Sequence, residues 1–253
     1  MRCASGRTYG YTDLVLGPGL VPDTDALPGI DAALHTSAVA SNYVDRAEET
    51  WKLVQAMPAG GHAVFTVPRP LVSCTGTTVK PLFLAAAHWK HTGRLPGVDI
   101  TLVIDRPQLL GVPDLDARLL NHLRDLGVRV LHGTTVTELK PDERAITVTD
   151  SDGTPQHLSY DMLHLVPPFR GPRWLETSNL TGDDPHGLVD IDPNTFRHRA
   201  HRTSGRRETE PPSTPTRPVV LCDSRFRFWW TICSLPGREE PSPTHRVAQL
   251  LQH

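Results

Sequence analysis

The sequence predicts an α/β fold built around a Rossmann-like unit with an appended β meander, and three observations predict it. Residues 63–67 (AVFTV) and 99–104 (DITLVI) are short aliphatic runs of the kind that become strands covered on both faces. Each is followed by a helical pattern. Alternating runs at 134–139, 145–149 and 157–160 then come in quick succession, with a turn signal at Ser151-Asp152-Gly153. A strand–helix–strand–helix–strand series feeding a meander is the pattern of a dinucleotide-type domain. At 253 residues the chain has ample length for a core.

Composition narrows the function classes. A formal net charge of -2 gives no electrostatic reason to expect a nucleic-acid partner. The four cysteines (Cys3, Cys74, Cys222, Cys233) are scattered without a C-x-x-C pair, so neither a disulfide framework nor a zinc site is predicted. His198 and His201 have H-x-x-H spacing but no supporting ligands nearby, and most histidines read as surface or loop residues. No apolar run approaches the ~20 residues of a membrane-spanning helix, and residues 1–16 lack the pattern of a signal peptide. The expectation is a cytoplasmic chain without a metal.

In order, the chain opens with a turn at residues 4–6 and a strand at 12–16, as if it continued a hairpin whose first arm lies upstream. The stretch DLVLGPG (13–19) reads as a strand leaving its sheet at Gly17, Pro18 and Gly19. A helix begins near Asp45, with Glu48 completing a capping box and Ala47, Trp51 and Val54 on one face. After a turn at 58–61 come the strand at 63–67, a proline-guarded loop carrying Cys74, and a helix whose first turn admits Pro81. Asp114 caps the next helix, with Leu115, Leu119, Leu120, Leu123 and Leu126 along its apolar side and Gly127 at its C-terminal cap. Strands are expected at 128–131 and through the meander. YDMLHLVPPF (160–169) reads on its own as an edge strand stopped by Pro167 and Pro168. After His198 the text turns rich in Arg and Pro without a period of 2 or 3.6, which predicts a disordered tail.

Two stretches carry candidate chemistry. A thiol just before a helix N-terminus sits in the positive end of the helix dipole, which favours the thiolate. Cys74 is therefore either a reactive sulfur or a small buried hydrophobe. The phosphate-binding fingerprint G-x-G-x-x-G appears nowhere; Gly17 and Gly19 have its first spacing but lead into a loop, so nicotinamide binding is not predicted.

The segment F-T-V-P, then Pro70, Cys74, Gly76 and Lys80, resembles the central motif of the sulfide:quinone oxidoreductases, flavoproteins related to the pyridine nucleotide-disulfide oxidoreductases. In that family it reads P-x-K-C-A-G-A-P-Q-K; here Thr77-Thr78-Val79 replaces A-P-Q. YDMLHLVPP is similar to the family's Y-D-M-L-H-V-x-P-P, LVDIDPNTF (188–196) to G-W-V-D-V-D-x-x-T-L, and DLVLGPG to Y-D-x-L-V-V-A-x-G, where the first flavin segment leaves its sheet. The resemblance spans roughly residues 9–198.

It implies a fragment of a flavoprotein with two dinucleotide-binding domains. Residues 1–45 would be the remnant of the first FAD segment, 46–168 the Rossmann-like middle domain, 169–198 the return towards the FAD domain, and 199–253 a tail. It also implies FAD as cofactor, with Gly17, Pro18, Gly19, Pro167 and Pro168 near it, Cys74 as a redox cysteine, sulfide and a quinone as partners, and a membrane surface as the site of the complete enzyme. The glycine fingerprint for FAD would precede Met1. If one C is restored after the His198 codon, residues 203–218 can be reread as V-W-A-A-G-D followed by helical text, close to the family's V-W-A-x-G-D. In that reading Arg206, Arg207, Glu208, Cys222 and Cys233 carry no selected function, and the family's second cysteine is replaced by glycine. The chain as written would then be an incomplete, inactive oxidoreductase. Two alternatives stay open: a non-catalytic scaffold, and a flavin-dependent NADH:quinone enzyme.

Overall fold

The computed structural model describes residues 3, 5–9, 14–43, 46–69, 71–72, 74–201 and the backbone of 219–221. Along the chain run β1 (Leu14–Leu16), β2 (Val21–Pro22), α1 (Ile30–Leu34), β3 (Val39–Ala40), α2 (Ala47–Ala56), β4 (Gly61–Val67), α3 (Thr75–His91), β5 (Val98–Ile104), α4 (Pro113–Asp125), β6 (Arg129–His132), β7 (Thr135–Lys140), β8 (Ala145–Thr149), β9 (Pro155–Ser159), β10 (Met162–His164), β11 (Phe169–Arg170), α5 (Trp174–Thr177) and β12 (Val219–Leu221).

The core is a five-stranded parallel sheet of order β3-β10-β4-β5-β6. Strand residues alternate between its faces. Ala63, Phe65, Val67, Ile100, Leu102, Ile104 and Met162 turn to one side, where Val54 and Met57 at α2, Leu82, Ala86 and Trp89 of α3 and Leu123 of α4 cover them. Val64, Val103 and Leu163 turn to the other, beneath α1 and the antiparallel meander β7-β8-β9. Burial on both faces is why these strands read as unbroken aliphatic text.

Several sequence expectations shift. β10 is an inner strand, bonded to both β3 and β4, rather than an edge. The sheet reaches back to Val39–Ala40, upstream of the 46–168 span. Helix α2 starts at Ala47 with Arg46 at its N-cap and no side-chain cap bond; Asp45 lies outside the described residues. Its buried side is Thr50 and Val54, while Trp51 is 44 % exposed and sets its ring edge against His88, 4.8 Å between centroids. A helix flanked by a sheet edge and another helix can leave an aromatic on its rim.

Helix α3 starts at Thr75, so Pro81 sits inside it and withholds the N–H that would bond the carbonyl of Thr77. In α4 the N-cap is Val112. Asp116, not Asp114, anchors the entry by accepting the N–H groups of Leu110 (2.7 Å) and Gly111 (3.0 Å). Leu115 faces solvent at 42 % exposure. Gly127 takes the left-handed conformation (φ +72°) expected just past a helix end. Two histidines depart from the surface expectation, since His164 and His198 are buried.

Beyond the sheet, β2 pairs antiparallel with β11 (Phe169 opposite Pro22, Arg170 opposite Val21). β1 pairs in parallel with β12. The Val219–Leu221 pairing falls in the tail for which the sequence offers no periodic element; residues 202–218 and 222–253, with Arg206, Arg207, Glu208, Cys222 and Cys233, lie outside the described residues.

Candidate functional site

In a parallel sheet, ligands gather at the carboxyl ends of strands where the order reverses. Here β4 is followed by β5 on one side, whereas β10, reached only after the meander, enters on the other. The chain leaves this switch point in three places. After β4 comes the loop to Cys74, after β10 comes 165–168, and after β3 come Ser41, Asn42 and Tyr43. The Val166 N–H donates to Thr66 Oγ1 of β4 (3.1 Å), and the Leu165 N–H to the Ala40 carbonyl (2.9 Å), which locks the double proline above the sheet.

Cys74 is an exposed free thiol at the N-cap of α3, in extended conformation (φ −155°, ψ 115°). The Thr77 N–H, foremost, then the Thr77 hydroxyl, the Gly76 N–H and the Lys80 ammonium favour its ionised form. They hold its pKa below the ordinary thiol value against an opposing but smaller cost of burial. The side chain is exposed rather than buried, which the small-hydrophobe reading does not expect.

Gly17, Pro18 and Gly19 follow β1 and precede β2, and β2 lies against β11 directly after Pro167 and Pro168. The Asp23 N–H donates to the Pro168 carbonyl (2.8 Å). In this antiparallel register Pro168 stands beside Asp23, past the end of β2, while residues 17–19 precede the strand at its opposite end. A Cβ placed on Gly17 or Gly19 meets no atom within 4 Å, and Gly19 has φ +67°, so backbone stands open to a planar group there. Open backbone at the carboxyl end of β1 leaves room for a flat group at residues 17–19, whereas the double proline lies at the other end of the β2–β11 pairing.

Two residues escaped the sequence reading. Tyr43 bonds through its hydroxyl to Thr77 Oγ1 (2.8 Å) and sets its ring edge-on to Phe169, 5.5 Å between centroids. Burial raises its pKa. His164 enters the sequence argument only as part of a motif. Its Nε2 hydrogen bonds to Asn42 Oδ1, its ring stacks near Phe65, and its buried Nδ1 has no partner. An amide oxygen accepts, so Nε2 carries the proton and the imidazole is neutral. Burial pushes its pKa down to about 4.

That depression has a consequence for stability. The unfolded chain takes up a proton at this residue near the ordinary 6.5, and the folded protein not until about 4. The stability contributed by neutral His164 is thus complete above pH 6.5 and is lost as pH falls from there to about 4, by on the order of 3 kcal/mol. Urea unfolding at pH 7 and pH 4.5 should show this slope. H164N should flatten it relative to the parent, and parallel slopes in the two proteins would refute the assignment.

The other predicted groups are occupied elsewhere. His198 accepts the Ala200 and His201 N–H groups at Nδ1 and bonds the Leu180 carbonyl through Nε2 (3.0 Å); His201 Nε2 bonds the Asn179 carbonyl. The pair closes a loop by backbone bonds, and among the described residues no three His, Cys, Asp or Glu side chains converge as metal ligands would. Asp105, at the tip of β5 where a dinucleotide-binding domain presents an acidic residue to the ribose, pairs with Arg69 (3.2 Å) from the loop after β4. Among the described residues no helix is long and apolar enough to cross a membrane.

Parallel sheet, crossover meander and switch-point loops make a Rossmann-like α/β fold. The chain is related to the sulfide:quinone oxidoreductases. It is 29 % identical over 204 residues to the mitochondrial sulfide:quinone oxidoreductase of Mus musculus, covering 79 % of this chain and 45 % of that protein. It is 27 % identical over 194 residues to that of Dictyostelium discoideum, covering 76 % and 42 %. The sulfide:quinone oxidoreductase structure of Aquifex aeolicus superposes with a TM-score of 0.63 at 19 % identity, over 79 % of this chain and 46 % of that one. The chain spans less than half the length of these relatives. No family model matches.

Proposed function

We propose that the chain acts in an FAD-dependent oxidation of sulfide with a quinone as electron acceptor, Cys74 being the sulfur that receives the substrate. The observation that supports this is an exposed thiol at the start of α3, in the loop that leaves β4 at the switch point, with its pKa held below the ordinary thiol value. The names of the relatives support the choice of substrates.

Hydrosulfide is a small anion. The Lys80 ammonium and the N-terminal N–H groups of α3 draw it to the same place where they stabilise the Cys74 thiolate. An S–S bond forms: Cys74–S⁻ and HS⁻ give Cys74–S–S⁻, one proton and two electrons. The quinone takes the two electrons, that proton and a second one from solvent to become the quinol. Bound flavin supplies the two-electron relay between them. Gly17, Pro18 and Gly19 would line the flavin from one end of the β2–β11 pairing, and Pro167 and Pro168 from the other.

The test is to incubate the full chain with FAD, remove free cofactor and add sulfide anaerobically. Retained flavin absorbance that bleaches with sulfide and returns with a soluble quinone is the expected result. Failure to retain flavin, or flavin that bleaches with NADH and not with sulfide, would overturn the proposal.

A further inference from the structure

Tyr43 lies 31 residues upstream of the candidate nucleophile, in a loop after a two-residue strand, yet its hydroxyl reaches the first turn of α3. The direction of the bonds can be worked out. The Thr77 hydroxyl donates its one proton to the Cys74 carbonyl (2.8 Å), and the Thr77 N–H faces the same carbonyl (3.2 Å). With that proton committed, the 2.8 Å contact between Tyr43 and Thr77 must have the phenol as donor. A directed chain therefore runs from the Tyr43 O–H to Thr77 Oγ1 to the Cys74 backbone. At its other end the Tyr43 ring packs edge-on against Phe169, the first residue after the double proline, and the Tyr43 N–H donates to Ser41 Oγ (3.2 Å).

We infer that Tyr43 is a positioning residue for Cys74: through Thr77 it fixes the helix start that carries the thiol, and through Phe169 it joins that start to the segment that follows Pro167 and Pro168. This rests on the reading of Cys74 as the reactive sulfur. The physical reason is cooperative. A hydroxyl that accepts a hydrogen bond becomes a better donor, so Tyr43 strengthens the Thr77 O–H, which holds the Cys74 carbonyl and, when the thiol ionises, turns its one proton to the sulfur while the phenol remains its donor. A loop joined on one side only would let the cap rotate. The Phe169 contact and the Ser41 bond hold the phenol where it can act. Tyr43 touches neither sulfide nor flavin in this role; its influence reaches the chemistry through Thr77 alone.

The experiment is the pH dependence of Cys74 alkylation by iodoacetamide in the full chain, followed by mass spectrometry of the Cys74 peptide so that other cysteines do not contribute. Y43F retains the ring and its contact with Phe169 and removes only the donor. It should slow alkylation at pH 7 by about threefold to fivefold and move the midpoint of the profile upward, with the limiting rate at high pH unchanged. T77V should do the same from the partly exposed side of the link, T77S should keep the parental profile, and Y43F/T77V should be no slower than T77V alone. Coincident profiles for Y43F and parent, or additive effects in the double variant, would overturn the inference while leaving Cys74 in place. A parental profile with the midpoint of an ordinary thiol would instead refute the reactive-sulfur reading on which it rests. Should Y43F not fold, as read by circular dichroism, the T77V and T77S pair decides the matter.

Discussion

Replacing Cys74 by serine should abolish sulfide-dependent flavin bleaching, a fall on the order of 10³-fold or more, while flavin retention and unfolding midpoint stay at parental values. The two halves of this expectation have separate causes. Serine is close to cysteine in shape and is among the preferred N-cap residues, so the start of α3 loses nothing and its exposed position has no packing to disturb. A serine hydroxyl, in contrast, stays protonated in the field that ionises the thiol, and it cannot form an S–S bond. The protein mass after sulfide treatment gives a second readout: the parent gains one sulfur at the Cys74 peptide and C74S gains none. A C74S protein that bleaches within roughly tenfold of the parental rate would show that sulfide reduces the flavin without this residue.

What could be read in the text, and what could not, divides along physical lines. β4 and β5 were legible because strands buried on both faces leave unbroken aliphatic runs, and Cys74 was legible because a helix start declares itself locally. Tyr43 was not. Its role depends on β3, a two-residue strand with no period, laying itself beside β10, which arrives more than a hundred residues later. The same long-range pairing turns YDMLH from an apparent edge strand into the middle of the sheet and buries His164. Asp116 took the anchoring role expected of Asp114 because the loop 110–111 folds back over the helix entry, a geometry that a capping pattern does not encode. The resemblance singles out Gly17, Pro18, Gly19, Pro167 and Pro168, whereas the β2–β11 pairing, which sets Pro168 beside Asp23, joins segments that no local pattern connects. Short elements fixed by tertiary contact carry the site, and local propensity is weakest there.

The helix capped by Cys74 is held at its other end by Trp89, and W89A should cost about 4 kcal/mol of stability. Trp89 is fully buried among Val54, Met57, Leu82, Ala85 and Ala86, so truncation opens a large cavity under the sheet face that carries Phe65. Its indole Nε1–H also donates to the Val54 carbonyl (2.8 Å), tying the end of α3 to α2. Loss of that bond adds a smaller share, which W89F should isolate at about 1 to 2 kcal/mol because most of the volume is kept. Urea titration followed by circular dichroism measures both. A loss below about 1 kcal/mol for W89A would mean the cavity collapses at no cost and that the helix is positioned by other contacts. The contrast with C74S is the reason to make both proteins. α3 is one rigid rod with a reactive end and an anchoring end, so W89A should weaken the fold first, whereas C74S removes the chemistry from a fold that remains intact. If W89A instead reduced sulfide bleaching at temperatures where the protein is still fully folded, the anchoring end would be setting the geometry of the reactive one.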